Sequence, residues 1–296
     1  MLRSLLILSL VLSFQFSQAQ RRGGSWSYGI YVGASNMLSD LGGANANGSF
    51  GFKDMDLQAT RPAIGASFYR HSLGLSVGAN VVFTELVGSD AFTEIQSRAQ
   101  RNLSVRTDLL EANIVAEMHP FSSIPIASRM HVSAGLGAIY FQPKANYNNE
   151  WVKLQPLGTE GQNYIVGATP YNRINVVVPF GAGYKFPLGR FSTLNLDFSF
   201  RKSFTDYLDD VSTVYANTAA LLETGGELSA ALADPSSLNF AEGSQRGNPN
   251  SNDNYFFVGL KFNSVLGAKN SSSCYFNDVQ HQKRVKRNRR WMKTDL

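Results

Sequence analysis

Between residues 191 and 210, an acid and a base occupy positions that a strand would turn to the same side. Asn195, Asp197, Ser199, Arg201, Ser203 and Thr205 share one parity; Leu194, Leu196, Phe198, Phe200 and Phe204 share the other. Side chains on a strand alternate faces with period two. One face is therefore apolar and aromatic, and the other carries Asp197 and Arg201. The same argument collects Asn80, Asp108, Glu111, Glu117, Arg173, Lys185 and Lys261 from other alternating segments. Opposed charges enclosed by a sheet can pair into a plug, because an unpaired buried charge is costly. The alternative is a path for protons or ions. The pairing reading is the expected one.

Other charged groups gather where strands should meet long connections. These are Asp40, Arg61, Arg101, Arg106, Asp206, Asp209 and Asp210. Their signs oppose, so they can tether loops to one another. A sharper reading makes Asp206, Tyr207, Asp209 and Asp210 a partner-binding surface. A further candidate surface is the basic run Lys283, Arg284, Lys286, Arg287, Arg289 and Arg290. It could dock onto an acidic periplasmic protein or anionic cell-wall polymer, or simply be solvated. The formal net charge of +5 is concentrated there, since residues 263–296 hold eight bases against two acids. The body is near neutral, and nucleic acid is not an expected partner.

Catalytic and metal chemistry find little support. His71, His119, His131 and His281 lack metal-ligand spacing. A zinc or acid–base site at the periplasmic rim stays as the alternative for the first three. A membrane-embedded hydrolase would need Ser, His and Asp groups converging at the outer mouth, where no histidine falls. The expectation is a non-enzyme with no cofactor.

The elements that must position these charges are strands. Eight segments alternate, at about residues 26–36, 63–70, 73–82, 103–118, 129–142, 172–186, 191–205 and 254–262. In the fourth, Leu103, Val105 and Leu109 run odd, and Leu110, Ala112, Ile114, Ala116 and Met118 run even. A β-bulge near Leu109 would restore one register. Connections alternate short (71–72, 121–128, 187–190) and long (38–61, 83–102, 143–171, 206–253). Outer-membrane barrels show this asymmetry, with short periplasmic turns and long extracellular loops. The reading is an all-β fold: an eight-stranded antiparallel transmembrane β-barrel with both termini in the periplasm of a Gram-negative cell. The rival is a soluble eight-stranded barrel of the lipocalin kind, but its polar residues should face outward.

Three segments complete the division of the chain. Met1-Leu2-Arg3-Ser4, the apolar residues 5–16 and Ser17-Gln18-Ala19 read as a signal peptide over 1–19. The barrel is assigned to 20–262 and a basic periplasmic tail to 263–296. Cys274 is the one cysteine, so no internal disulfide is expected. Within the last long loop, residues 212–233 are rich in helix formers. Gly225-Gly226 should divide them into two short helices ended by Pro235.

Several stretches carry a family resemblance. They are Tyr28-Gly-Ile-Tyr-Val-Gly-Ala-Ser-Asn-Met-Leu-Ser-Asp-Leu-Gly, Thr60-Arg-Pro-Ala, Arg101-Asn-Leu-Ser-Val-Arg-Thr-Asp-Leu-Leu-Glu, Arg201-Lys-Ser-Phe-Thr-Asp-Tyr-Leu-Asp-Asp-Val, Arg246-Gly-Asn and Tyr255-Phe-Phe-Val-Gly-Leu. Together, over about residues 26–262, they resemble the PorG-like family of outer-membrane β-barrels. That resemblance implies a scaffold of the type IX secretion system, with a link to gliding, contacting a periplasmic ring of PorK and PorN. A surface adhesion or ligand-binding barrel is the alternative.

Overall fold

The computed structural model describes residues 25–41 and 57–266, apart from positions 73, 94, 122–123, 125–126, 166–167 and 190. Nine strands are present among these residues: β1 (Ser25–Leu38), β2 (Arg61–His71), β3 (Leu75–Ser89), β4 (Ser104–Met118), β5 (Met130–Tyr147), β6 (Glu150–Lys153), β7 (Ile174–Leu188), β8 (Ser192–Ser203) and β9 (Asn254–Val265). All pairings are antiparallel. Eight strands close a ring in the order β1-β2-β3-β4-β5-β7-β8-β9, with β9 pairing back to β1. The short β6 lies outside the ring and extends β5 as a hairpin.

The wall is apolar outside and polar or apolar inside, depending on height. Ile114 and Leu136 face outward at 63% and 62% exposure, while Glu111 and Ile139 face inward at 0% and 1%. Exposed large apolar side chains occur on all eight ring strands, from Tyr28 and Ile30 on β1 to Leu260 and Phe262 on β9. Soluble monomers rarely expose contiguous apolar patches above a few hundred Å². A complete apolar girdle around a charged interior is stable only in lipid, so the chain spans a membrane with strands. No helix of the described residues is long and apolar enough to do so.

The fourth segment needs no bulge. Its pairing with β3 runs unbroken from Leu75↔Met118 to Ser89↔Ser104, and that with β5 is equally regular. Val105, Thr107, Leu109 and Glu111 all point inward. The apparent slip in parity arises because the interior itself changes from charged to apolar. Leu86, Leu109, Ile139, Phe141, Val177, Tyr255 and Phe257 form a buried cluster inside the loop-side half, joined by Leu208 from the last loop. A barrel this narrow is filled by side chains, and here the loop end is filled with grease.

The connections match the alternation of short and long. Only three residues separate β2 from β3 and β7 from β8, whereas the long loops follow β1, β3, β5 and β8. The loop after β3 carries α1 (Gln96–Arg101), and the last loop carries α2 (Thr218–Ala233). Helix α2 starts six residues later than the composition suggested. Asn217 caps it, its side chain accepting a hydrogen bond from the Ala220 amide at 3.0 Å. Gly226 breaks it at φ 76°, a left-handed conformation that favours glycine. The divided helix expected at Gly225-Gly226 is therefore present as two halves across a kink. Strand β9 runs through Asn263, Ser264 and Val265, three residues past the boundary drawn from sequence. The expected signal peptide and the rest of the tail lie outside the described residues.

The girdle predicts a sharp contrast between faces. Replacing Ile114→Arg, at the middle of the outward belt on β4, should cost about 2–4 kcal/mol in a bilayer. Phe141→Ala, inside, should cost about 3–5 kcal/mol through the cavity it leaves. Reversible urea unfolding of the barrel in lipid vesicles measures both.

Candidate functional site

The lumen charges form two linked groups at different heights. Near the short-turn end, the Glu117 carboxylate accepts hydrogen bonds from Lys185 Nζ at 2.8 Å and Lys261 Nζ at 2.9 Å. Lys261 Nζ also lies 3.3 Å from Asp197 Oδ2 and donates to Tyr69 Oη at 3.1 Å. The imidazole of His131 lies with Nε2 2.9 Å from Asp197 Oδ1. Closer to the loops, Arg201 Nε is 3.2 Å from both oxygens of Glu111. Glu111 also accepts from Tyr255 Oη at 2.7 Å and from the Asn113 amide. The Arg201 guanidinium sits 4.4 Å over the Phe257 ring.

Three carboxylates thus face three cations in a space that admits little else. Glu111 and Glu117 are 0% and 2% exposed, so each charge depends on its partner rather than on solvent. A cavity of about 60 Å³ remains among Tyr69, Asn113, Glu117, Asp197, Arg201 and Lys261, room for a few waters only. At the short-turn rim, His71 bridges Ser27 Oγ at 2.7 Å and Ser76 Oγ at 2.8 Å. His119 and His131 approach with ring centroids 6.0 Å apart. Among the described residues no group of three or more His, Cys, Asp or Glu is arranged to hold a metal ion.

Of the lumen residues named from sequence, Glu111, Glu117, Lys185, Asp197, Arg201 and Lys261 converge as expected. Asp108 and Arg173 do not. Asp108 shares the outward parity of Leu110 and pairs with Lys144 on the outer wall. Arg173, just ahead of β7, stacks 5.4 Å over the Tyr140 ring and donates to Tyr140 Oη at 3.1 Å and to Gln142. At this height the interior is apolar, so outside is the better-solvated place for both.

The four long loops meet in a crown held by two buried arginines. Arg246 donates through Nη1 to Glu160 Oε1 at 2.9 Å and to the Asp210 carbonyl at 2.5 Å, and through Nε to the Ala233 carbonyl at 3.2 Å. Glu160 in turn accepts from the Ser212 and Thr213 amides at 2.9 and 3.1 Å. Arg101 forks onto Asp90 at 2.9 and 3.1 Å and reaches the carbonyls of Asp40 at 2.9 Å and Arg246 at 2.5 Å. Each of the four loops contributes at least one of these groups. Beneath them, Phe141, Tyr171 and Tyr207 stack in a row, and Leu41, Leu103, Val105, Leu154, Val211 and Leu232 form a second apolar core.

This geometry revises the mouth cluster read from sequence. Arg101 pairs with Asp90, and Arg61 and Arg106 pair with Glu85; none of the three forms an ion pair with Asp206 or Asp209. Those two, with Asp210, are buried under the crown. Asp210 ties the last loop to the one after β5, accepting from Thr159 Oγ1 at 2.6 Å and Tyr171 Oη at 2.5 Å; buried as they are, the three present no docking surface, while Tyr207 is half-buried in the aromatic row. Glu160, Asp90 and Asp253 escaped notice because they lie in loops without periodicity. Arg246 was visible only as part of an Arg-Gly-Asn stretch. Residues 283–290 of the basic run lie outside the described residues.

The buried carboxylates of the crown hold their protons unusually tightly. Burial pushes Asp206 up to about 8, aided by Asp40 and Asp209 and opposed by the Ser212 hydroxyl. Burial likewise lifts Asp209 to about 7, with Asp40 adding to it. Asp210 rises to about 6, burial outweighing Arg246. Asp253 is raised well above its usual value by burial and by Asp209, Asp206 and Asp40.

Two outcomes are expected. These folded-state values exceed the unfolded value of about 3.9, so the folded state binds more protons and crown stability falls as pH rises from about 4 to 8. Protease protection of the loops, followed from pH 5 to pH 9, should decline, and Asp209→Asn should flatten the decline. Arg246→Ala strands Glu160 in the interior and should destabilise the crown by about 3–5 kcal/mol at pH 7. Thermal unfolding at that pH measures it.

No protein-family model matches the chain, and no curated protein matches it. Solved structures of similar fold include Ail, the attachment invasion locus protein of Yersinia pestis, at 9% identity and a TM-score of 0.40, covering 83% of this chain and 100% of that one. The outer membrane protein AlkL in lipid bilayers matches at 12% identity and a TM-score of 0.38, covering 84% and 93%. Neisserial surface protein A matches at 7% identity and a TM-score of 0.35, covering 82% and 99%.

Proposed function

We propose that this chain is a non-enzymatic outer-membrane barrel that serves as a scaffold of type IX protein secretion. In this reading it contacts a periplasmic ring of PorK- and PorN-like proteins. The carrying observation is that both ends of the interior are closed. Ion pairs fill the turn-side lumen, an apolar core fills the loop side, and Arg101 and Arg246 tie the loops down. Such a barrel conducts nothing and moves little, which suits an anchor. The resemblance to PorG-like barrels supplies the machinery and the partner. The alternation of short turns and long loops supplies the orientation, with loops outside the cell and both termini in the periplasm.

A second reading is a surface adhesion or ligand-binding barrel. It is favoured by apolar side chains that the crown leaves exposed, among them Trp151, Val214, Leu222 and Leu238.

Deleting the gene separates the two. A secretion scaffold should leave cargo proteins cell-associated, whereas an adhesin should leave export intact and reduce attachment. Capture of ring proteins by the full-length barrel, and its loss when residues 267–296 are removed, tests the tail as the contact.

A further inference from the structure

The outer wall changes character in three steps along one arc. On β3, β4, β5 and β7, register neighbours Phe83, Leu110, Tyr140 and Ile174 form an exposed apolar row. Two residues toward the loops, Glu85, Asp108 and Gln142 are neighbours. Two residues further, Arg106, Lys144 and Lys153 stand side by side on β4, β5 and β6. At about 3.3 Å per residue, this basic row lies roughly 13 Å along the strand from the apolar one. That is headgroup height if the apolar row marks the edge of the hydrocarbon.

The arc is cationic after its internal pairs are satisfied. Glu85 meets Arg106 and Arg61, and Asp108 meets Lys144. Four cations of the arc (Arg106, Lys144, Lys153 and Arg173), with Arg61 reaching in from the end of β2, therefore face two carboxylates. Glu150, at the tip of the β5–β6 hairpin, alternates to the opposite face from Trp151 and Lys153. Two aromatic rings are set among the bases. Arg106 lies 5.1 Å over Trp151, and Arg173 lies over Tyr140. Across the barrel, the comparable loop-end positions are Lys202, Asn254 and Leu38, with one cation among them. The bias belongs to one side of the wall.

We propose that this arc binds the phosphates of the phosphorylated glycolipid that forms the outer leaflet, with Arg106, Lys144, Lys153 and Arg173 as contacts. It rests on the orientation given under the proposed function, which puts the loop end in that leaflet. Guanidinium groups match phosphate oxygens in a bidentate fork. Tyr140, in the apolar row, suits the boundary between headgroup and acyl chain, and Trp151, paired with Asn146 beyond the basic row, covers the bases from the loop side. The basic row is reached from the membrane plane, so a lipid is better placed to fill it than a soluble partner approaching the crown from above.

Native mass spectrometry of the full-length barrel in detergent tests this with three lipids: bis-phosphorylated lipid A, the same lipid without phosphates, and phosphatidylglycerol. The expected result is retention of the bis-phosphorylated lipid alone, and its loss in the variant Arg106→Gln/Lys144→Gln/Lys153→Gln. Because that variant disturbs two ion pairs, Lys153→Gln/Arg173→Gln, which breaks no pair with a carboxylate, should also weaken retention several-fold. Arg70→Gln/Arg129→Gln, at the short-turn end, should retain it fully. Equal retention of the dephosphorylated lipid or of phosphatidylglycerol overturns the proposal, as does undiminished retention by the second variant. Protease cleavage of the loops only from the periplasmic side overturns it through the orientation. A normal secretion phenotype in the deletion strain overturns the scaffold reading and leaves this one standing.

Discussion

A charge enclosed behind a lipid-facing wall has to find its counter-charge within a few ångströms. That constraint organises the interior. Glu117 is shared by Lys185 and Lys261, Lys261 is shared with Asp197, and Asp197 is shared with His131. No member could leave without exposing another to an apolar surrounding at a cost of several kcal/mol. The pairs span strands far apart in sequence, from β4 to β9, so they also fix which strands face one another across the lumen. Setting β4 in another register would separate Glu111 from Arg201 and Glu117 from both lysines at once.

The crown repeats the logic with a different outcome. Arg246 and Arg101 are surrounded by acids and carbonyls and are fully satisfied. The neighbouring Asp206, Asp209 and Asp253 are buried with too few cations, and their raised proton affinity is the consequence. The lumen solves enclosure by pairing, and the crown solves part of it by holding protons.

Between these two layers lies the apolar core of Leu109, Phe141, Val177 and Leu208. It separates the charged lumen from the charged crown and seals the barrel. It also explains how the outer wall could become polar just above the hydrocarbon. Once the interior turns apolar, Asp108, Lys144 and Arg173 are accommodated outside, and the outward face acquires its charged rows. The inversion is local and leaves every strand register unbroken.

The period-two pattern in the amino-acid sequence determined the strands, their number, the inward parity of Glu111, Glu117, Asp197 and Arg201, and the short and long connections. Each depends on alternation along a single strand, which is a local property. Gly226 and the helix it divides were legible for the same reason. Only the tertiary structure decided that Leu109 and Val105 point inward beside Glu111 without a bulge, and that Asp108 and Arg173 point out. It also decided that Arg246 meets Glu160 of another loop, 86 positions away in sequence, and Asp210, 36 positions away. Parity says which residues share a face but not what fills the space behind it. That space is shared by eight strands and four loops, and its chemistry at any height is set by their sum.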